Sequence, residues 1–285
     1  LLQTPLPPFE TFMDDPLRIF RTFRFAARLG FTIASPIFSA IQRPEVLEAL
    51  QTKVSRERIG TELKEIFFSC KHPLDALLEM HTVDLWPLIF PVPEGIEFAC
   101  KRPQLKSLSN FPLSPLFIFS YLLYPLEGCL KGKKESLIED ILKTQLYLGK
   151  TFAKEVERVI TTSSYLLSHL PLTDPEIPEN RKIIGRFFRQ GGNLWKEAWN
   201  LVTNRIILDR ARAEAGMGVC QTSPLDEILQ KEEPRGLLPP LVSGQTLMVL
   251  GYQGKEIGIA LEKSRDLQFM YPAWDREKIL LQLKI

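Results

Sequence analysis

The apolar residues of this 285-residue chain recur mostly three and four positions apart, which is the spacing of amphipathic helices. Convincing two-residue alternation between turn signals is missing, so the pattern predicts an all-α fold. Prolines mark the joints, notably at 91–93, 171–178 and 234–240. These joints predict three segments, 1–90, 91–235 and 236–285. The predicted helices are 16–29, 35–51, 55–69, 73–85, 113–124, 134–147, 150–169, 179–190, 193–215, 224–231, 243–250, 255–269 and 274–284.

The first long helix carries an unusual row of arginines. Asp14 or Asp15 can cap its first turn, Pro16 suits the first helical position, and Gly30 is typical of its end. At about 100° per residue the arginines fall within an arc of roughly 120°, opposite an apolar face that suits a core. One interpretation is a binding surface for phosphate or a base edge, and the alternative is a solvated face. The arginines are Arg18, Arg21, Arg24 and Arg28.

The overall charge makes this row a local feature. The chain has 36 Lys and Arg against 34 Asp and Glu, a net charge of +2, so a general polyanion-binding coat is disfavoured. No apolar run approaches the roughly 20 residues of a membrane helix, so we expect no membrane partner. The four cysteines are isolated and the three histidines form no metal-like cluster, which favours a reduced, intracellular protein without its own metal site. Neither G-x-S-x-G nor P-loop spacing is present.

Two sequence blocks are typical of a known enzyme family. The run TPLPPFETFMDDPLRIFRTFRFAARLGFTI, followed by KVSRERIGTELKEIF, resembles the class II tRNA nucleotidyltransferases, the CCA-adding enzymes. The first block is similar to the family's base-recognition motif and the second to an ER-I-x-x-E-L helix that braces it. RKIIGRFFRQGGNLWKEAW resembles a stretch of the family's body domain. LVSGQTLMVLGYQGKEIGIALE resembles its tail, with Ser243 where Asn is usual and Lys255 where Pro is usual.

The resemblance gives each of the three segments a role. It implies a neck over 1–90, a helical body over 91–235 and a helical tail over 236–285. Asp15 and Arg18 match the pair that reads the incoming base, which would be that of CTP or ATP. Cytosine and adenine both present an amine donor beside a ring-nitrogen acceptor, so one acid and one guanidinium can select both. Arg21 and Arg24 match further arginines that contact ribose or triphosphate.

Several residues are expected to support this base-reading pair. Asp14 lies beside it, and Ser55 can cap the next motif's helix. Arg56, Glu57 and Arg58 follow, and Glu57 could pair with an arginine of the first helix and fix its guanidinium. The alternative is that these charged residues serve only capping and solubility.

Two further regions are candidates for binding tRNA. A second basic helix face could contact the acceptor arm, or could simply be solvated; its cations are Arg181, Lys182, Arg186 and Arg189. Gly254 and Lys255 begin a helix whose backbone amides could meet a phosphate. Trp195 and Trp199 stand four residues apart and are expected to anchor a core instead of stacking on bases.

The family's catalytic head, with Asp-x-Asp ligands for Mg²⁺, has no counterpart in this sequence. We therefore expect the C-terminal portion of a CCA-adding enzyme, inactive alone, whose head is missing by truncation or encoded separately. Its expected partners are tRNA, CTP and ATP, in the cytoplasm, mitochondrion or nucleus. Two alternatives stay open: a poly(A) polymerase of the same superfamily, which would use only ATP, and a non-enzymatic helical RNA-binding or partner module.

Overall fold

The computed structural model describes residues 1–91, 105–131, 135–172, 174, 176–213, 229 and 239–283, with side chains omitted at 208–213. The chain divides into two compact units, Leu1–Ile160 and Thr161–Ile285. This boundary lies inside the predicted segment 91–235, and the three-segment division stays a prediction.

Unit 1 is built from short helices, many of which begin at a proline. Proline suits the first helical turn because its missing N–H would be unpaired there. The described helices are α1 (Pro8–Asp14), α2 (Arg18–Leu29), α3 (Ser35–Ile41), α4 (Pro44–Lys53), α5 (Arg56–Ser69), α6 (Pro73–Thr82), α7 (Trp86–Ile89), α8 (Pro115–Leu123), α9 (Leu137–Glu139) and α10 (Lys150–Leu167), with 3₁₀ turns at Ser107–Asn110 and Tyr124–Leu126.

The all-α prediction is confirmed, with local corrections. The helix predicted over 35–51 is broken before Pro44, because a residue preceding proline disfavours helical backbone and Arg43 is extended, with ψ 131°. The segment predicted as helix 134–147 instead contains strand β2 (Glu135–Ser136), α9 and a π-helical turn at Asp140–Gln145. Strand β2 pairs antiparallel with β1 (Leu130–Lys131), a hairpin that the sequence did not predict. The predicted helix 224–231 lies outside the described residues, Leu229 excepted.

The core of unit 1 surrounds α5, which packs on α2, α6 and α8. The Phe119 ring makes edge-on contacts with Phe67 and Phe90, at centroid distances of 5.6 and 6.4 Å. Gly60 of α5 lies so close to the π-helical segment that an added Cβ would be 1.9 Å from the Leu146 carbonyl oxygen. Only glycine fits there, so α5 is fixed by backbone contact as well as by buried rings.

Unit 2 consists of the end of α10 followed by further helices. They are α11 (Pro178–Gly191), α12 (Trp195–Ala213), α13 (Gly244–Val249), α14 (Lys255–Met270) and α15 (Arg276–Leu283), with a 3₁₀ turn at Gly192–Leu194. Helix α11 packs on α14, where Gly185 meets the ring of Phe269. Trp195 and Trp199 are buried, which confirms their predicted core role.

Candidate nucleotide-recognition site and basic helices

The chain turns sharply before α2. The helix begins at Arg18, so the prediction that Pro16 is its first residue was wrong: Pro16 and Leu17 form a turn. Asp15 Oδ1 accepts a hydrogen bond from the Leu17 amide at 3.2 Å, and the Asp15 carbonyl accepts one from Arg18 N at 3.1 Å. Asp15 therefore fixes the turn that aims Arg18, although it is not the N-cap itself.

Charged side chains meet at this turn. Arg18 Nη1 lies 2.8 Å from Asp14 Oδ2 and donates to the Thr11 carbonyl at 3.2 Å. Arg58 Nη2, from α5, lies 3.7 Å from Asp15 Oδ1. The Arg18 side chain is 41% exposed, so its ion pair with Asp14 is solvent-screened and contributes little to stability. The structure thus brings together the four residues predicted for base reading and support at the start of α2.

One buried carboxylate holds the next two arginines. Arg21 Nε donates to Glu62 Oε1 at 3.2 Å, and Arg24 Nε donates to Glu62 Oε2 at 2.7 Å. Glu62 is only 7% exposed, and a buried acid requires such charged donors. Both bonds use Nε, so the terminal Nη groups take no part in them. Arg24 is further fixed over the Phe25 ring, 4.5 Å from its centroid.

Glu62 corrects the prediction made for Glu57. Glu57 is exposed and forms no ion pair with any residue in the described part of the chain, whereas Glu62 makes the expected contact with α2. Glu62 is the second acid of the ER-I-x-x-E-L motif, one turn after Ile59 on the buried face of α5. An acid on an apolar helix face was the available signal, because such a side chain needs a partner.

Arg56 is the first residue of α5 and is bound to backbone carbonyls. Its guanidinium donates to the carbonyls of Leu88 and Ile89 and to Gln145 Oε1. Burial lowers the pKa of Arg56 from its ordinary value. The Ser55 hydroxyl accepts a bond from Arg58 N at 3.4 Å, which confirms the predicted cap. Both contacts fix the first turn of α5.

The second basic helix face, on α11, is bound to acids within the protein. Arg186 Nε lies 3.1 Å from both oxygens of Asp266, and Arg189 donates to the same carboxylate, which is 5% exposed. The hydrogen bond to Asp266 raises the pKa of Arg186. Arg181 pairs with Glu176, and Lys182 with Glu179 at 3.2 Å. Contact between this face and tRNA stays a prediction.

At the start of α14, too, an acidic side chain of the protein accepts a hydrogen bond from the backbone. Gly254 is its N-cap with φ +51°, and Lys255 is its first, exposed residue. Glu256 accepts a bond from the Gln253 amide at 3.4 Å and adds a negative charge to the first turn. Phosphate binding at Gly254 and Lys255 stays a prediction as well.

The described residues were predicted to contain neither a metal site nor a membrane span. Across the residues that the structure describes, no three His, Cys, Asp or Glu side chains are grouped to hold a metal ion. Among those same residues, no helix combines the length and apolar character needed to cross a bilayer.

The chain is similar in sequence to tRNA nucleotidyltransferases, although no protein-family model matches it. It is 30% identical over 214 residues to tRNA nucleotidyltransferase cca2 of Schizosaccharomyces pombe, a match that covers 69% of this chain and 44% of that protein. It is 41% identical over 90 residues to the mitochondrial CCA tRNA nucleotidyltransferase of Saccharomyces cerevisiae, covering 32% of this chain and 16% of that one. The chain therefore spans less than half the length of these relatives.

The fold of the chain is similar to that of solved CCA-adding enzymes. A CCA-adding enzyme in complex with CTP superposes with a TM-score of 0.60 at 17% identity, over 97% of this chain and 61% of that one. The Thermotoga maritima CCA-adding enzyme in complex with tRNA gives a TM-score of 0.56 at 17% identity, over 97% and 62%. The motifs, the helical fold and these relatives together show that the chain belongs to the tRNA nucleotidyltransferase family of CCA-adding enzymes.

Proposed function

We propose that this chain is the C-terminal part of an enzyme that adds CCA to tRNA 3′ ends, and that it selects CTP and ATP and binds tRNA. The observation that carries the proposal is the arginine row of α2, fixed by Glu62 beside Asp15 and Arg18. The names of the relatives support it, and so do related structures that contain CTP and ATP. Relatives named as mitochondrial support an intracellular location.

In the proposed reaction, Arg18 leaves its ion pair with Asp14 and binds the incoming base. The screened pair with Asp14 is weak, so its loss costs little, while a bidentate contact to a base discriminates by about 1–3 kcal/mol. Asp15 accepts from the exocyclic amine of cytosine or adenine, and Arg18 donates to the ring nitrogen. Guanine and uracil would present like groups to this pair and are rejected.

Arg21 and Arg24 hold the nucleotide in register. Glu62 takes only their Nε donors, which leaves each planar fork facing ribose or phosphate oxygens. Among the described residues no group of side chains is placed to hold a metal ion, and the Mg²⁺ expected for the reaction would be held by the catalytic head that the family resemblance implies. We expect the chain alone to transfer no nucleotide.

The test is nucleotide incorporation by the full-length protein that carries this chain, with tRNA lacking its CCA end. Arg18→Ala should lower kcat/KM for both CTP and ATP by about 10- to 100-fold and leave tRNA affinity nearly unchanged. Lys64→Ala, which removes an exposed charge from α5, is the control and should match the wild type.

Three results would contradict the proposal. Incorporation of ATP but not CTP by the wild type would indicate a poly(A) polymerase. No incorporation with a head domain present would indicate a helical binding module. An unchanged kcat/KM for CTP and ATP in Arg18→Ala would exclude its base-reading role.

A further inference from the structure

A row of cations on α10 has no part in the site described above. Lys150, Lys154 and Arg158 stand four residues apart, so successive members are displaced by about 6 Å along the helix and about 40° around it. All three are exposed, because the opposite side of the helix is buried in the core. With Thr151 and Glu155 they line an open groove of about 300 Å³.

The charges of this row are balanced differently from those of α11. Each of the four α11 cations has an acidic partner, two of them on the buried Asp266. Lys150 and Lys154 form no ion pair with any acid among the residues whose side chains the structure describes. The groove therefore contains two lysines without an acidic partner among the described residues, beside Arg158 and the carboxylate of Glu155, and Lys150 stands at the positive end of the helix dipole.

An aromatic side chain precedes the row. Tyr147 is 62% exposed, and its backbone is left-handed, with φ +53°. A left-handed conformation is unfavourable for a non-glycine residue and persists only where its surroundings impose it. Here the Leu148 amide donates to the Leu142 carbonyl at 2.8 Å, which ties the segment to the π-helical turn. A phenol is thus held in solvent three residues before Lys150.

We infer that the α10 row of Lys150, Lys154 and Arg158 is a binding surface for the phosphate backbone of RNA, with Tyr147 stacking on a base. Regularly spaced cations suit a backbone of regularly spaced phosphates, and an exposed ring suits a nucleic acid better than an acidic peptide. Given the proposed function, the RNA is tRNA. The inference assigns tRNA contact to unit 1 in addition to the α11 face predicted from sequence.

The experiment measures binding of this 285-residue chain to a fluorescent tRNA by anisotropy across a salt series. Lys150→Ala/Lys154→Ala should weaken binding roughly tenfold at low salt and reduce the slope of log K against log salt by about 2. Lys150→Arg/Lys154→Arg should preserve both quantities. Lys64→Ala/Lys106→Ala removes two other exposed charges from unit 1 and should leave the slope unchanged. Circular dichroism checks the fold of each variant.

A second substitution separates stacking from charge. Tyr147→Asn tolerates a left-handed backbone and removes the ring, so it should weaken binding several-fold without changing the salt slope. A normal slope in Lys150→Ala/Lys154→Ala would overturn the inference and leave the proposed function standing. Absence of tRNA binding by the wild type would overturn both. Equal affinity for polyglutamate would overturn the assignment to RNA.

Discussion

Helices α2 and α11, which belong to different units, carry the same arrangement of charged side chains. Each carries an arginine pair three residues apart, Arg21 with Arg24 and Arg186 with Arg189, and each pair converges on one buried carboxylate from another helix. The first arginine of each pair is about two-fifths exposed, at 43% and 39%, and the second is mostly covered. In both units one negative charge keeps two positive charges on a helix surface.

The two arrangements differ in which guanidinium atoms donate to the carboxylate. Glu62 takes one Nε bond from each arginine of α2, whereas Asp266 takes Nε and Nη2 from Arg186 and Nη2 from Arg189. The outer nitrogens of the α2 arginines therefore take no part in the bonds to Glu62, and under the proposed function they bind the nucleotide, whereas those of α11 are bound to Asp266. The same residue pattern joins two helices in each unit, and under the proposed function it also presents charge to a ligand in the first unit.

The largest loss of stability should come from changing Gly60, which lets α5, the helix that carries Glu62, pack closely on Leu146. Gly60→Ala places a Cβ 1.9 Å from the Leu146 carbonyl oxygen, and backbone cannot yield as a side chain tip does. We expect a loss of about 3 kcal/mol or more in the free energy of unfolding of unit 1, measured by urea titration. Gly258→Ala is the matched control, because its Cβ would meet nothing within 4 Å. That change should stabilise α14 by about 0.5–1 kcal/mol, and equal effects of the two changes would contradict the packing argument.

Neutralising each carboxylate in turn compares how much the two arrangements contribute to the free energy of unfolding. Asp266→Asn removes the acid with more bonds and should cost unit 2 about 2–3 kcal/mol. Glu62→Gln should cost unit 1 about 1–2 kcal/mol, because it has only two bonds and solvent screens Arg21. Trp86 reports on unit 1, and hydrogen exchange assigns each loss to its helix. A greater loss for Glu62→Gln would reverse the proposed division of roles.

How far the sequence predicts this arrangement depends on sequence separation. The bounds of α5 and α11 and the end of α2 follow from local signals to within one residue, since apolar periodicity and terminal residues act within a few positions. The start of α2 was predicted two residues too early, because Pro16 and Leu17 form a turn. The partners of their arginines do not, because Glu62 lies 38 residues beyond Arg24 and Asp266 lies 80 beyond Arg186. The π-helical turn was also missed, because apolar spacing does not separate it from an α-helix.

A smaller effect is expected where α11 meets α14. Gly185→Ala would place a Cβ 2.4 Å from Cγ of the Phe269 ring, which is a side chain and can shift. We expect a loss of about 1–2 kcal/mol for unit 2, less than for Gly60→Ala. Adding Phe269→Leu should recover part of the loss, so a double-mutant cycle should give a favourable coupling. Additive losses would show that the two residues are not in contact.

The smallest effect concerns a third buried carboxylate, Asp140, which pairs with a lysine. Because both partners can titrate, the pair affects stability at low and at high pH. Asp140 accepts from Lys131 Nζ and Gln145 Nε2, each at 2.8 Å. Burial opposes its ionisation, but these hydrogen bonds and the nearby lysine charges outweigh burial and hold the pKa of Asp140 below its ordinary value. The hydrogen bond to Asp140 likewise raises the pKa of Lys131.

The signs of the two shifts give the pH dependence. A lowered carboxyl pKa stabilises the folded state above about pH 4, and this stability is lost as the pH falls through the folded-state value. A raised lysine pKa stabilises it below about pH 10, and this is lost as the pH rises through the folded-state value. Lys131→Arg should remove this pair's share of the alkaline loss and keep its share of the acid loss, because a guanidinium does not deprotonate in this range. Unfolding midpoints measured against pH, with Lys106→Arg as control, test this, and an unchanged alkaline limb in Lys131→Arg would show that the Lys131–Asp140 pair does not set it.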